Sequence, residues 1–391
     1  MIVSIDDRKG GSTHVVRGNA YHRLWLVVPE EYVSPIPLHP TSLAHKVPAR
    51  VCDPTFGQVA VTRQRLWPFL GIVDTNGRDA GWCGLTAPLR QQSDLDLYHE
   101  VRRTLRMVGF SSHATFPAVD EGVVKDYEGL CDGWCHCFRQ PGDYISPASP
   151  IALISESDFV NDRTVSPQTI CGTDAPKKDF DFIYVCLPGR WSEMTKNWGL
   201  AKACLYRLCI DLGLKGLLLG RWQILDLPSN RNLTIVGDVP RRTLLEYVGR
   251  SRMVFVPSVM DASPRLLAEA LCMDVPILVN RRILGGWKYV TESTGAFFDG
   301  DDDVGEAAAQ CLSGPTRPRA WFKANYGPAK SSMRLSRFLH SLGGDIEPTP
   351  SLRLAHDAFV PSPGATARLG ATRSGMTQPV WLGPPPALRP R

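Results

Sequence analysis

Long apolar runs are missing from this chain of 391 residues. None approaches the roughly 18–20 residues that a membrane-crossing helix needs, so no integral membrane segment is expected. The first twenty residues hold Asp6, Asp7 and three glycines where a cleavable signal peptide would have its apolar core. An excess of one charge is also missing: 44 Lys and Arg face 39 Asp and Glu, a net +5 without a basic run. Nucleic acid is therefore not expected as a partner. The eleven cysteines are odd in number and scattered through apolar contexts such as Val185-Cys186-Leu187, which speaks against a disulfide framework. Reduced thiols in a cytoplasmic protein are the expectation. Internal repeats are absent.

What is present is enough apolar residue, 43% of the chain, for two ordinary cores. Residues 178–343 alternate apolar runs with helical patterns. Phe182-Ile183-Tyr184-Val185, Gly216-Leu217-Leu218-Leu219, Leu233-Thr234-Ile235-Val236, Met253-Val254-Phe255-Val256 and Val275-Pro276-Ile277-Leu278-Val279 read as strands. Helical spacing intervenes over 196–212, 241–248 and 264–272. Strands that are apolar throughout, alternating with helices, predict a parallel sheet covered on both faces, a doubly wound α/β domain. In residues 1–177 the pattern is thinner. Strands are expected near 23–28 and 69–73. A loop bearing Gly77, Gly81 and Gly84 follows, then a helix over 94–108 stopped by Gly109. Residues 344–391 are expected to be a disordered tail, with nine prolines from Glu347 onward and few large apolar side chains.

The chemistry concentrates in Val256-Pro257-Ser258-Val259-Met260-Asp261-Ala262-Ser263-Pro264-Arg265-Leu266-Leu267-Ala268-Glu269-Ala270. A strand ends, a loop of small residues follows, and a helix begins at Pro264, where proline suits the first turn. Asp261 sits before the helix and Glu269 on it. Backbone N–H groups and the positive helix end then face the C-terminal edge of the sheet, where open α/β sheets bind anionic ligands. Each residue also has a plainer reading: Asp261 as a helix cap, and Glu269 and Arg265 as solvent-facing side chains.

Asp261, seven intervening residues, Glu269-Ala270 and then a Pro-containing strand resemble the donor-binding signature of GT-B glycosyltransferases of the retaining family 4 type. Asp stands where that signature usually has Glu. Three more pieces fall in the family's order. Gly189-Arg190 with Lys196 resembles the basic pair that holds the donor diphosphate. Val236-Gly237-Asp238-Val239-Pro240 resembles the loop on the base side, and Gly285-Gly286 the family's Gly-Gly segment, although it also reads as a turn. The resemblance covers about residues 180–315. It implies two Rossmann-like domains facing a cleft, and transfer of a sugar from a nucleotide-diphosphate donor with retention; since few residues remain between the βα unit at 69–108 and the second domain, either residues 1–68 supply strands of the first domain or that domain is reduced. It implies no cofactor and no required metal. It assigns Asp261 to the donor sugar's hydroxyls, Glu269 to the ribose, and Arg190, Lys196 and the helix end at Ser263 and Arg265 to the leaving diphosphate. Gly84 is expected near the phosphates. His113 and His136 are candidates for contact with sugar or acceptor.

Cys131, Cys135, His136 and Cys137 form a second cluster of metal-ligating residue types. Three consecutive residues do not converge readily on one tetrahedral ion, so buried thiols are expected instead. The acceptor is not readable. A non-catalytic nucleotide-sugar-binding module and a nucleotide-sugar epimerase fit the same signature.

Overall fold

The computed structural model describes residues 67–74, 79–221, 231–344 and 346–355, and the backbone of three strands near the N-terminus. Those three, β1 (Val3–Asp6), β2 (Ser12–Arg17) and β3 (Trp25–Pro29), form an antiparallel meander. Gly77 and the tail from residue 356 onward lie outside the described residues.

A first sheet holds β4 (Phe69–Val73), β5 (Asp79–Leu85), β6 (Arg106–Phe110), β7 (Trp134–His136) and β8 (Ile151–Leu153), of which β5 to β8 are parallel. One face is covered by the helix Gln92–Arg102 through Leu97, Tyr98 and Val101, and by the irregular segment carrying Phe116, Tyr127 and Phe138. The other face receives Leu335 and Leu339 of the helix Pro328–Ser341. That helix falls within the span expected for the second domain, yet it packs on the first sheet. Beyond it, Arg353–Ala355 pairs antiparallel with β4 as a further edge strand, inside the expected disordered tail.

Two local expectations change here. The glycine-bearing stretch after β4 is a strand, and the helix expected to run to Val108 ends at Arg102, after which β6 begins. Gly109 is no helix stop. It lies in β6, where a Cβ would sit 2.2 Å from the Trp134 ring, so that close approach requires glycine.

The second sheet holds β9 (Phe180–Val185), β10 (Gly216–Leu219), β11 (Leu233–Val236), β12 (Ser251–Val256), β13 (Ile277–Asn280) and β14 (Gly295–Phe298). All pair in parallel, in the order β11-β10-β9-β12-β13-β14. This is a doubly wound Rossmann-like sheet, and its order reverses between β9 and β12. Helices cover both faces, as uninterrupted apolar strands require. With its two parallel-rich sheets the chain has the α/β, GT-B-like architecture. No helix among the described residues is long and apolar enough to cross a membrane.

Candidate functional site

At the switch point the connections leaving β9 and β12 run to opposite faces of the sheet, and a crevice opens between them. There the structure has a cleft of about 750 Å³, lined by residues 187–192, Thr195 and Lys196 after β9, by 260–262 after β12, and by 112–114 after β6 of the first sheet. The C-terminal edges of both sheets therefore contribute.

Gly189 has φ +114°, a left-handed value that favours glycine, and it caps the short helix Arg190–Thr195. Arg190 is exposed on the first turn of that helix, at the cleft wall. Lys196 ends it, and its backbone carbonyl accepts from the Tyr184 hydroxyl at 3.1 Å. The helix is held further by Arg221, which donates to Glu193 at 2.7 Å and stacks 4.0 Å from the centre of the Trp198 ring. Lys196 Nζ meets Asp261 Oδ2 at 2.5 Å across the crevice. Three of the sequence-expected residues, Arg190, Lys196 and Asp261, are thus brought to one cavity.

The loop of Asp261 depends on the two glycines. Gly285 N–H donates to the Asp261 carbonyl at 2.9 Å, and a Cβ on Gly285 would lie 1.7 Å from the Ala262 carbonyl oxygen. Gly286, at φ +78°, packs so close to Pro264 that a Cβ would lie 2.4 Å from its ring. Gly285 marks a close approach of two backbones, and Gly286 a left-handed residue against side chains.

Glu269 is buried on the helix Arg265–Cys272. Its Oε1 accepts from Arg241 at 3.0 and 2.5 Å and from Arg265 at 2.9 Å. A buried carboxylate needs such partners, which is why it does not face water. Arg241 had no sequence signal beyond its place at the start of a helix after Pro240. Gly237 is buried at the C-terminal end of β11, against Gly220, whose N–H lies 3.4 Å from the Gly237 carbonyl.

Like Glu269, Arg265 and Gly237, three further expected residues are not among those that line the cleft. Gly84 is buried inside β5, where a Cβ would sit 3.0 Å from Leu70 and 3.2 Å from Phe110, so it serves sheet packing and not a phosphate. Ser263 turns away from the cleft: its Oγ accepts from the Ser157 N–H at 3.1 Å and donates to Ser157 Oγ at 3.2 Å. His136 is 6% exposed in β7, outside the cleft, and its Nδ1 has no partner among the described residues. Burial, helped by the charge of Lys288, lowers its pKa to about 4, so the ring is neutral.

His113 does reach the cleft. It stacks on Trp191 at 5.7 Å between ring centres, nearly parallel, and Glu121 lies 3.8 Å from its Nε2. Burial lowers its pKa against the opposing pull of Glu121, with Arg90 adding to the lowering. Trp191, 40% exposed, was not singled out by sequence; its only signal was its place after Gly189-Arg190.

In the cysteine cluster the thiols of Cys135 and Cys137 part because β7 ends at His136, before strand alternation would return residue 137 to the face of residue 135. Cys135 packs with Leu70 and Leu335 on one face of the sheet, and Cys137 with Phe138 on the other. Burial pushes the Cys137 thiol up to about 12. Among the described residues no three His, Cys, Asp or Glu side chains gather as a metal site.

No protein-family model matches the chain, and no curated protein sequence matches it. Solved structures of similar shape include the pneumococcal O-GlcNAc transferase GtfA in complex with UDP and GlcNAc, at 12% identity and TM-score 0.44, covering 66% of this chain. The chain spans 56% of that protein's length. The lipopolysaccharide outer core galactosyltransferase WaaB, in its apo form, gives 13% identity and TM-score 0.47, covering 66% of this chain and 75% of that one. The UDP-GlcNAc 2-epimerase of Methanocaldococcus jannaschii gives 11% and 0.41, covering 66% and 77%. The fold described above rests on strand order and not on these likenesses.

Proposed function

We propose that this chain is a glycosyltransferase that moves a sugar from a nucleotide-diphosphate donor to an acceptor, with retention and without a required metal. The observation that carries the reading is the convergence of Arg190, Lys196 and Asp261 on one cleft at the switch point of the second sheet. A leaving diphosphate gains negative charge in the transition state. Arg190 and Lys196 are positioned to stabilise it, with help from the N-terminal end of the helix at Arg265. Asp261 is placed to accept hydrogen bonds from the donor sugar. Glu269, fixed by Arg241 and Arg265, is the candidate for the ribose. Ser263 and Gly84 drop out of the donor site, and His113 takes the place on the first-domain side that His136 does not. The leaving phosphate itself can take the acceptor's proton, so no separate base is needed.

The test is calorimetric titration of the full chain with a panel of nucleotide sugars and free nucleoside diphosphates, with Glu269→Ala beside it. Micromolar binding of one base class, lost in the variant, is the expected result. Acceptor-dependent release of free nucleotide then separates a transferase from a binding module or an epimerase. Failure of every donor to bind folded protein removes the proposal.

A further inference from the structure

The largest side chain lining the cleft is an indole with no role in the donor site. Trp191 follows Arg190 on the short helix after β9, lines the cavity, and keeps 40% of its surface exposed. It does so although His113, from beyond β6 on the opposite wall, lies against it with the rings 10° from parallel. An indole left in water forgoes the stabilisation that burying its apolar rings would bring, and a ligand in the cleft can supply that burial. The stack with His113 already holds the ring, so little rotamer freedom is left to lose when something packs on it.

Charge decides what kind of group fits there. An indole face attracts cations, but Arg190 and Lys196 line the same cavity and repel them. The lining residues from the first sheet are Ser112, His113 and Ala114, and burial keeps His113 neutral. Behind them the Glu121 carboxylate stands 3.8 Å from His113 Nε2. Arg90, 4.0 Å from that carboxylate and half-exposed, offsets its charge only in part. An anion held against this wall is therefore disfavoured as well. An uncharged ring remains. A pyranose answers the description: its weakly positive C–H bonds pack on the negative face of an indole, while its hydroxyls stay free to hydrogen-bond at the rim.

We propose that Trp191 is the platform on which a pyranose ring of the acceptor stacks, so that the acceptor is an uncharged carbohydrate. Trp191 joins the helix of Arg190 and Lys196 to the first-sheet wall, so a ring upon it lies where the two walls of the cleft meet. That the ring belongs to the acceptor rests on the transferase reading; the platform itself does not.

The experiment is saturation-transfer NMR titration of the full chain with the methyl glycosides of glucose, galactose, mannose and N-acetylglucosamine. Glucuronate and glucosamine serve as charged counterparts, and thermal melts accompany each variant. Millimolar binding of at least one neutral glycoside is expected, weakened at least tenfold in Trp191→Ala and kept within about threefold in Trp191→Phe. Should Trp191→Ala fail to fold, Trp191→Leu, which keeps apolar bulk without a π face, decides in its place. Unchanged binding in that variant overturns the proposal, as does tighter binding of either charged sugar or no binding by any neutral glycoside. Binding that survives Trp191→Ala but vanishes in Asp261→Asn belongs to the donor sugar's place and overturns it too. Nucleoside diphosphate titrated into the same proteins separates the two readings. Nucleotide bound without any glycoside removes the platform and leaves the transferase; glycoside bound on Trp191 without any nucleotide does the reverse.

Discussion

At the residue scale the Lys196–Asp261 contact makes a signed prediction. Asp261 occupies the cation that the diphosphate would use, so a nucleotide must compete with it. Asp261→Asn should tighten binding of a free nucleoside diphosphate by roughly fivefold, since a partly exposed ion pair is worth up to about 1 kcal/mol. Transfer should fall in the same variant, because the carboxylate would no longer hold the donor sugar. Calorimetry beside turnover checks both, and weaker nucleotide binding would show that Asp261 assists the nucleotide. His136 makes a second prediction. Its folded pKa of about 4 lies below the ordinary value of 6.5, so the unfolded chain binds the extra proton between those limits. Its contribution to stability is whole above pH 6.5 and is lost as pH falls toward 4, by up to about 3 kcal/mol. Denaturant melts at pH 7 and pH 4.5 should show that slope in the unaltered chain and a reduced one in His136→Phe. Equal slopes would mean that other groups carry the acid sensitivity.

At the element scale two glycines with similar crowding should fail differently. A methyl on Gly109 strikes the Trp134 ring at the centre of the first sheet, so Gly109→Ala should destabilise by about 1–3 kcal/mol. A methyl on Gly285 strikes the backbone of Ala262, next to Asp261, so Gly285→Ala should weaken nucleotide binding more than it lowers the melting midpoint. The same pair shows what sequence can reveal. β9, β10, β12 and β13 were legible because burial on both faces leaves them apolar throughout. So were Lys196 and Asp261, each fixed at the end of such a strand. The first sheet was not legible. Residues 92–108 carry no proline or glycine to mark where the helix stops and β6 starts, and Gly109, the residue that reads as a stop, answers to a ring 25 residues away. Ser263 and His136 were beyond reach for a related reason: the Ser157 groups that hold Ser263 and the Lys288 charge that acts on His136 come only with the approach of distant segments.

At the scale of the whole molecule the segment between the sheets is the part under most constraint. Asp158 is 1% exposed, and its carboxylate takes the Lys288 ammonium at 2.7 Å, the Tyr289 hydroxyl, and the Ser155 N–H at 2.9 Å. Its backbone carbonyl accepts from Gly327 N–H at 3.0 Å and from Ser331 Oγ at 2.8 Å, at the start of the helix that returns to the first sheet. One residue thus joins the connection out of the first sheet, the second sheet's Gly-Gly segment and the returning helix. A buried pair of this kind adds little over an apolar replacement, but removing one partner strands the other charge and costs about 3–5 kcal/mol. Lys288→Met should therefore lose that much in chemical denaturation, and Lys288→Met combined with Asp158→Asn should lose less than the single change. The unaltered chain should unfold in one transition, since both sheets share this anchor. In Lys288→Met the transition should split, with tryptophan fluorescence and far-ultraviolet circular dichroism no longer coincident. A single coincident transition in that variant would mean that Asp158 stabilises one sheet only and does not couple the two.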